Sequence, residues 1–492
     1  MAKQARKATA PVRKIYDPAE SHRRIVAAYD AARTTTENES LWKYVDSMSA
    51  AAANSPGVRQ TIRDRARYEA SNNSYARGIV DTLANDVVGP VVQLQLGDSE
   101  FAQSVERHFE AWAAATNIWS KIRTSQRAKT QDGEVFPLMI TNRRLGHEIK
   151  LDIRLIECDQ VEGWFGNVGR EDEIDGVRLD ENGVPTHYRL LKQHPGDYRT
   201  LKGGSPLAGD WVSAKYMLHY FTSDRPGQVR GISELLPALS LFGQLRRYTS
   251  AVIETASRAA EISSVMHTDL MPEGAAELAD PVTIIEAERN AILSLPEGWK
   301  LTQLKPEQPT TQYGDFKSEI INEIARCLNM PFNVAAGNSS GYNYASGRLD
   351  HQTYDRSIEV RRQELQQQVL DPILRVWVAE YAARHSLTSE QAAELMDHEW
   401  HFAGRDHVDP AKEANADNVR LANGTLNYAT YYARRGKDWK REERQRIREL
   451  IAREQMWHQA REDAGLSPAP YPGTTDTNQA VPIDQEEAVD ED

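Results

Sequence analysis

Apolar positions along this chain change period several times, and each change marks an element. Residues 59–88, RQTIRDRARYEASNNSYARGIVDTLANDVV, set Ile62, Ala66, Ala70, Tyr75, Ile79 and Leu83 on one helical stripe, broken near Ser71-Asn72-Asn73 and stopped by Gly89-Pro90. VVQLQL then alternates as a strand, and a helix over about 100–130 aligns Phe101, Val105, Phe109 and Trp112. From Gly133 to Tyr220 the period is two: EVFPLMIT, KLDIRLIE, DGVRLD, PTHYRLLK and KYMLHYF read as short strands between Gly, Asp, Asn and Pro. Residues 232–262 return to helix, with Ser233 as cap and Pro237 in the first turn. Leu235, Leu239, Phe242, Leu245, Val252 and Ala256 mark one face of it. SSVMHTDL and GWKLTQL read as strands bracketing the helical stretch DPVTIIEAERNAILSL.

The next segment, YGDFKSEIINEIARCLNM, spaces Phe316, Ile320, Ile324 and Leu328 by four and ends at Met330-Pro331, because proline disfavours helix in the residue before it. Asn333 to Gly347 follows: fifteen residues with no charge, three Gly, three Asn and two Tyr. Such a loop between helices suits a mobile surface that touches without gripping. A long helix over 348–385 keeps Tyr354, Ile358, Leu365, Val369, Ile373, Trp377 and Tyr381 on one face, with a kink expected at Asp371-Pro372. Downstream, Asp409-Pro410 opens a helix that Gly424 follows, and Asp438 caps another running to about Ala464. The pattern is α+β and mainly helical.

Composition narrows the function classes. A chain of 492 residues suggests two or three domains, and a net charge of −13 argues against nonspecific nucleic-acid binding through a basic surface. Cys158 and Cys327 form neither a disulfide framework nor a metal motif, which fits a reducing compartment. Residues 1–20 read as a disordered basic arm, and residues 473–492, with seven acidic residues and no basic one, as a disordered tail. No apolar run reaches the ~18 residues of a membrane span. There is no P-loop and no dinucleotide fingerprint, and no cofactor is expected.

Candidate chemistry is sparse. Gly337-Asn338-Ser339-Ser340-Gly341 matches G-x-S-x-G, but a serine hydrolase needs that motif between a strand and a helix; here a helix precedes it, so a polar loop is the simpler reading. His398-Glu399-Trp400-His401 lacks the H-E-x-x-H spacing that puts two ligands on one helical face, and reads as structural. Asp132-Gly133-Glu134 reads as a turn rather than a catalytic carboxylate pair. Residues 434–453 hold nine basic and four acidic residues; the segment reads as a solvated helix using Ile447, Leu450 and Ile451 for its core face, with phosphate contact as the alternative. Arg246, Arg247, Arg361 and Arg362 are candidates either for ion pairs or for a channel lining.

The order of elements resembles phage portal proteins, and more closely the lambda-like portal family. The segments that carry the resemblance are RARYEASNNSYARGIVDTLANDVVG (65–89), HYFTSDRPGQVRGISELLPAL (219–239), GDFKSEIINEIARCLNMPFNVAAG (314–337) and VDPAKEANADNVRLANGTLNYATYYARRGKDW (408–439). The resemblance implies a portal-type subunit: a wing over 21–232, helical then β-rich; a stem helix over 233–262; a small α/β clip over 263–311; a second stem helix over 312–331; and a tunnel loop over 332–347. A long kinked wing helix over 348–389, a helical crown over 390–466 and the acidic tail over 467–492 would complete it. It further implies a ring, usually of twelve copies, at one vertex of the capsid in the virion, assembled in the host bacterial cytoplasm and not in a membrane. Double-stranded DNA would pass through its channel for genome packaging and ejection. The terminase large subunit, a head-completion or head–tail connector protein, and the major capsid and scaffold proteins would be its partners. Asn338, Ser339, Ser340, Tyr342, Asn343 and Tyr344 would line the channel, and no enzymatic activity is implied. A ring-shaped connector that conducts no DNA and, more remotely, a soluble serine hydrolase are the alternatives.

Overall fold

The computed structural model describes residues 47–97, 99–162, 172–197, 208–261, 265–268, 299–302, 312–341, 344–404, 410–433, 435, 437, 439–467 and 469–471. The expected basic arm, most of the insert at 263–311 and the tail from 472 lie outside these residues.

Helices α1 (Ala50–Ala53), α2 (Pro56–Asn72) and α3 (Ser74–Val88) open the described chain. The break expected near Asn73 is present: its extended backbone ends α2, and its side chain accepts from the Tyr75 and Ala76 amides to cap α3. β1 (Val92–Gln95) leads into α4 (Glu100–Thr116) and α5 (Ile118–Asp132). The single helix expected over 100–130 is therefore two, because Asn117 adopts a left-handed conformation (φ 53°) that asparagine tolerates.

The β-rich region comprises β2 (Glu134–Thr141), β3 (Leu151–Ile156), β4 (Glu173–Ile174), β5 (Val177–Leu179), β6 (Pro185–Leu191), β7 (Gly209–Ser213) and β8 (Tyr220–Phe221). They form two antiparallel sheets, ordered β3-β2-β8 and β4-β5-β6-β7. The expected pattern misses β7 and overextends β8, since of KYMLHYF only Tyr220–Phe221 is strand and Met217 forms an isolated bridge to Leu138.

A 3-10 turn at Leu236–Ala238 contains Pro237, so α6 runs over Leu239–Glu261 rather than from 232. Leu235, Phe242 and Leu245 are buried, whereas Ala256 on the expected apolar face is exposed. β9 (Val265–Thr268) and β10 (Trp299–Thr302) lie within the two segments expected as strands, and they pair antiparallel. Then come α7 (Gln312–Arg326), α8 (Phe332–Ala336), α9 (Tyr344–Leu365) and α10 (Asp371–His385). Between α9 and α10 a π-helical segment spans Gln366–Leu370. Its wider turn accommodates Pro372, which lacks an amide hydrogen and whose ring crowds the carbonyl one turn earlier. All seven residues assigned to the apolar face of this long helix are buried. α11 (Ser389–Glu394), β11 (Glu399–Phe402), α12 (Pro410–Ala422), α13 (Tyr428–Ala433) and α14 (Trp439–Asp463) complete the described chain. β11 pairs with β1, setting Leu94 opposite Trp400.

One large core joins α3, α4, α5, the near faces of β2 and β3, the start of α6, α7, α9 and α10. At its centre Phe109, Trp112, Trp377 and Trp400 form a ring cluster with centroid separations of 5.2 to 6.4 Å. A smaller core, around Phe136, Ile156, Val177, Tyr188 and Met217, lies between the two sheets. The chain meets itself at Gly133 and Gly231. Gly133 has φ 94°, and a Cβ there would collide with the backbone of Ile232, just as one at Gly231 would collide with the Gly133 carbonyl. Helix α14 departs from expectation: none of its residues is buried, and Ile447, Leu450 and Ile451 are exposed rather than packed in a core.

Candidate nucleic-acid interface

The neutral loop grows out of a tightly specified approach. α7 buries Ile321, Ile324 and Ala325, and Leu328 and Met330 continue the buried face after the helix ends. Asn329 turns the chain with a left-handed backbone (φ 54°), and Pro331 supplies the extended N-cap of α8. The one and a half turns of α8 fall inside the segment expected to be loop, and Ala335 packs into the main core. Tyr344 already belongs to α9, so the long helix begins four residues before Arg348.

Within the loop, Gly337 (φ 62°) and Gly341 (φ 94°) take the left-handed conformations that L side chains resist. The Asn338 side chain accepts from the Ser340 amide at 2.9 Å and from the Ser340 hydroxyl at 2.7 Å, a local turn that fixes the tip. Gly337 to Gly341 are all exposed. Asn333 at the base faces His351 Nε2 at 3.2 Å. Tyr342 and Asn343 lie outside the described residues, as does the side chain of Tyr344. Ser339 follows a helical turn and no strand, so the nucleophile elbow of a G-x-S-x-G hydrolase is not built here.

The four arginines separate. Arg247 is exposed. Arg246 pairs with Glu69 at 2.9 Å and lies over the Tyr68 ring. Arg361 pairs with Glu234 at 2.7 Å, while the fully buried Lys129 bridges Glu234 at 3.1 Å and Glu364 at 3.2 Å. Burial alone would raise the Glu234 pKa; the Lys129 and Arg361 charges reverse that and hold it at about 2. Arg362 donates to the carbonyls of Asp86, Val87 and Ala403 at 2.8 to 3.1 Å. Arg361 and Arg362 are therefore committed inside the subunit, tying α9 to α3, to the residue after β11 and to the turn before α6. Lys437, just before α14, pairs with Glu442 at 3.0 Å, and within α14 Arg446 pairs with Glu443 at 3.5 Å.

The largest polar feature was not foreseen. Arg59, Arg63 and Arg67, four apart on the inner face of α2, pair with Asp175, Asp159 and Asp132 respectively. Behind them Glu134, fully buried, accepts from Arg230 Nη2 at 2.6 Å, from the Gly231 amide at 2.8 Å, and contacts His219 Nε2 at 2.9 Å. Burial would raise the Glu134 pKa, and Arg230 and His219 hold it well below the ordinary carboxylate range. Burial keeps His219 neutral to lower pH than a free imidazole, despite Glu134. Burial raises the Cys158 thiol, which sits beside this network and is no nucleophile. Asp132 and Glu134 thus serve different cations across the Gly133 turn, and form no catalytic pair. The spacing of four between the arginines was the only signal in the sequence.

Among the described residues, Glu157, Asp159 and His194 bring three ligand-type atoms within 4.8 Å of one another. Arg67 already occupies Asp159 Oδ2 at 2.8 Å, so the group fits a cation poorly. His398 instead bonds Asp371 at 3.1 Å and the Met396 carbonyl at 2.8 Å, and Trp400 donates to the same Asp371 at 2.8 Å. His398 immediately precedes β11 and His401 lies within it.

A family model described as phage portal protein, lambda family, matches residues 36–362. The chain belongs to the lambda family of phage portal proteins. A curated relative, the probable portal protein of Halomonas phage phiHAP-1 (isolate -/Gulf of Mexico/-/2001), is 24% identical over 417 residues, spanning 77% of this chain and 78% of its own. Two solved structures show a distant likeness. The virion of a native gene transfer agent particle contains a chain 12% identical with a TM-score of 0.43, covering 74% of this chain and 90% of that one. An HK97 family phage portal protein from Corynebacterium diphtheriae is 12% identical with a TM-score of 0.30, covering 71% and 97%. At those scores neither adds to the assignment. Among the described residues, no helix of this portal family member is long and apolar enough to cross a membrane.

Proposed function

We propose that copies of this chain close into a ring, of twelve subunits by family resemblance, which forms the portal at one vertex of a phage head and passes double-stranded DNA during packaging and ejection. The observation that carries this reading is the family match across residues 36–362. In it, the wing spans 21–232 and 348–389, α6 and α7 form the stem, 263–311 the clip, 337–343 the tunnel loop, and 390–466 the crown. Terminase and later a head-completion protein dock at the clip.

The physics of the parts supports the assignment. DNA must slide, and every Lys or Arg set on a phosphate adds affinity and salt dependence. The exposed tip Gly337–Gly341 carries no charge, so it offers weak polar and steric contact only. Twelve copies at −13 sum to −156 formally, a net field that disfavours DNA adhesion. Of the four arginines, the exposed Arg247 and the partly exposed Arg246 are the candidates for the channel wall that this reading keeps. On the protruding halves of α6 and α7, Ile253 is 60% and Phe316 48% exposed, apolar area that a neighbouring subunit would cover.

The test is packaging with a Tyr342→Ala, Tyr344→Ala portal, scored as nuclease-protected DNA per head. The reading expects reduced retention of packaged DNA with ring assembly intact. Normal packaging and normal retention would remove these residues from the constriction.

A further inference from the structure

Helix α14 is held at both ends and bare between them. Near its start the Tyr432 hydroxyl of α13 donates to Glu443 at 2.9 Å, and Arg444 donates to the Gln103 side chain of α4 at 3.0 Å. Near its end Trp457 donates to the Ala469 carbonyl at 3.2 Å and Arg461 to that of Ser467 at 2.8 Å. Residues 445–456 are all exposed, and among the described residues their hydrogen bonds and ion pairs stay within the helix.

This bare stretch is not uniformly polar. Glu443, Ile447, Leu450, Ile451 and Glu454 follow the i, i+4, i+7, i+8, i+11 spacing of a single helical stripe. The stripe begins on the side that Glu443 turns to α13, then carries Ile447 at 53%, Leu450 at 38% and Ile451 at 49% exposure. Three adjacent aliphatic side chains on the side that already faces the subunit call for a surface to cover them.

Charge indicates which surface. From Lys440 to Arg453 the helix holds six basic and three acidic residues, so this stretch is +3 and a chain of net −13 leaves −16 elsewhere. Each of the three acids already has a cation: Glu442 pairs with Lys437 at 3.0 Å, Glu443 with Arg446 at 3.5 Å and Glu449 with Arg453 at 3.8 Å. Glu454 has His458 at 3.9 Å. A basic helix on an acidic chain is complementary to a second copy of that chain. Duplex DNA suits the stripe less well, because aliphatic side chains gain nothing on phosphates and the carboxylates repel them.

We propose that the Ile447, Leu450, Ile451 stripe of α14 packs on the adjacent copy of this chain, so that each α14 bridges the seam between two subunits. The contact is heterologous: the stripe of one copy meets a different surface of the next, as repeats around a closed ring. It rests on the ring reading above and adds a named contact to it.

The test places p-benzoylphenylalanine at position 450 of the full-length chain. Assemblies are sized by native mass and irradiated with duplex DNA present. Denaturing gels should show pairs of 55.4 kDa chains linked through position 450. The same probe at position 456, half a turn round the helix from Ile447, should leave the chains single. In an intact ring, linkage confined to one chain, linkage to the DNA, or none above the position 456 control would overturn this proposal and leave the ring reading standing. An unaltered chain that stays monomeric would overturn both. A second readout avoids the probe. An Ile447→Gln, Leu450→Gln, Ile451→Gln chain changes only exposed side chains to a good helix former, so the melting of the isolated subunit should not move. Its ring should half-dissociate at a chain concentration at least ~10-fold higher than the unaltered one, and an unchanged concentration would likewise overturn the proposal.

Discussion

Replacing Glu134 with Ala should be among the most damaging single changes in this subunit. The carboxylate accepts from Arg230 through Nε at 3.0 Å and Nη2 at 2.6 Å, from the Gly231 amide at 2.8 Å, and contacts His219 at 2.9 Å. Removing it strands a guanidinium that is 3% exposed. Arg230 would keep the carbonyls of Val161 at 2.8 Å and Asp175 at 2.7 Å, and the Asp175 carboxylate at 3.4 Å, so part of the loss is offset. Breaking one partner of a buried pair costs about 3–5 kcal/mol, against a typical domain stability of about 5–15 kcal/mol. We therefore expect a loss of about 3–4 kcal/mol in urea unfolding of the monomeric chain, followed by near-UV circular dichroism, with the slope m unchanged. Combining Glu134→Ala with Arg230→Met should be non-additive by at least ~1.5 kcal/mol. A single-mutant cost below ~1 kcal/mol, or additive effects, would refute the view that this pair fastens the helical part to the sheets.

Two further predictions follow from the same polar groups. Arg361→Ala should destabilise the subunit by about 2–3 kcal/mol because Glu234 loses one of its two cations, whereas Arg247→Ala should change stability by less than ~0.5 kcal/mol; thermal melts of the two variants separate these cases. Stability should also fall with pH in two stages. His219 is held neutral, so below about pH 6.5 the unfolded chain takes up a proton that the fold does not. Glu134 and Glu234 are held below their unfolded value of 4.5, so their contribution is present above that pH and fades beneath it, for Glu234 down to about 2. Asp224 and Glu162, raised by burial, oppose this weakly. A urea midpoint unchanged between pH 7.5 and pH 4 would contradict the assignment.

How far the sequence reaches depends on how local each interaction is. The buried face of α9 and α10 and the two strands β9 and β10 follow from periodicity and punctuation within a few residues. The turn at Asn117 was missed because nothing but one left-handed residue interrupts an otherwise continuous helical pattern. Pairing of β1 with β11 joins residues 92–95 to 399–402, a choice made by tertiary packing that no local pattern encodes. Arg59, Arg63 and Arg67 look like the solvated side of a helix; only the aspartates of distant segments turn that side inward. The opposite error occurred at Ile447, Leu450 and Ile451, whose helical spacing suggests a core that a single subunit does not supply.

The most direct test of the portal reading is the mass and image of the purified full-length assembly. Native mass measurement and electron microscopy should return a closed ring of about a dozen 55.4 kDa chains, with residues 337–343 at the wall of a central opening wide enough for a duplex of ~20 Å. A chain that stays monomeric at high concentration in the presence of its scaffold protein, or a ring whose opening is too narrow for duplex DNA, would contradict it.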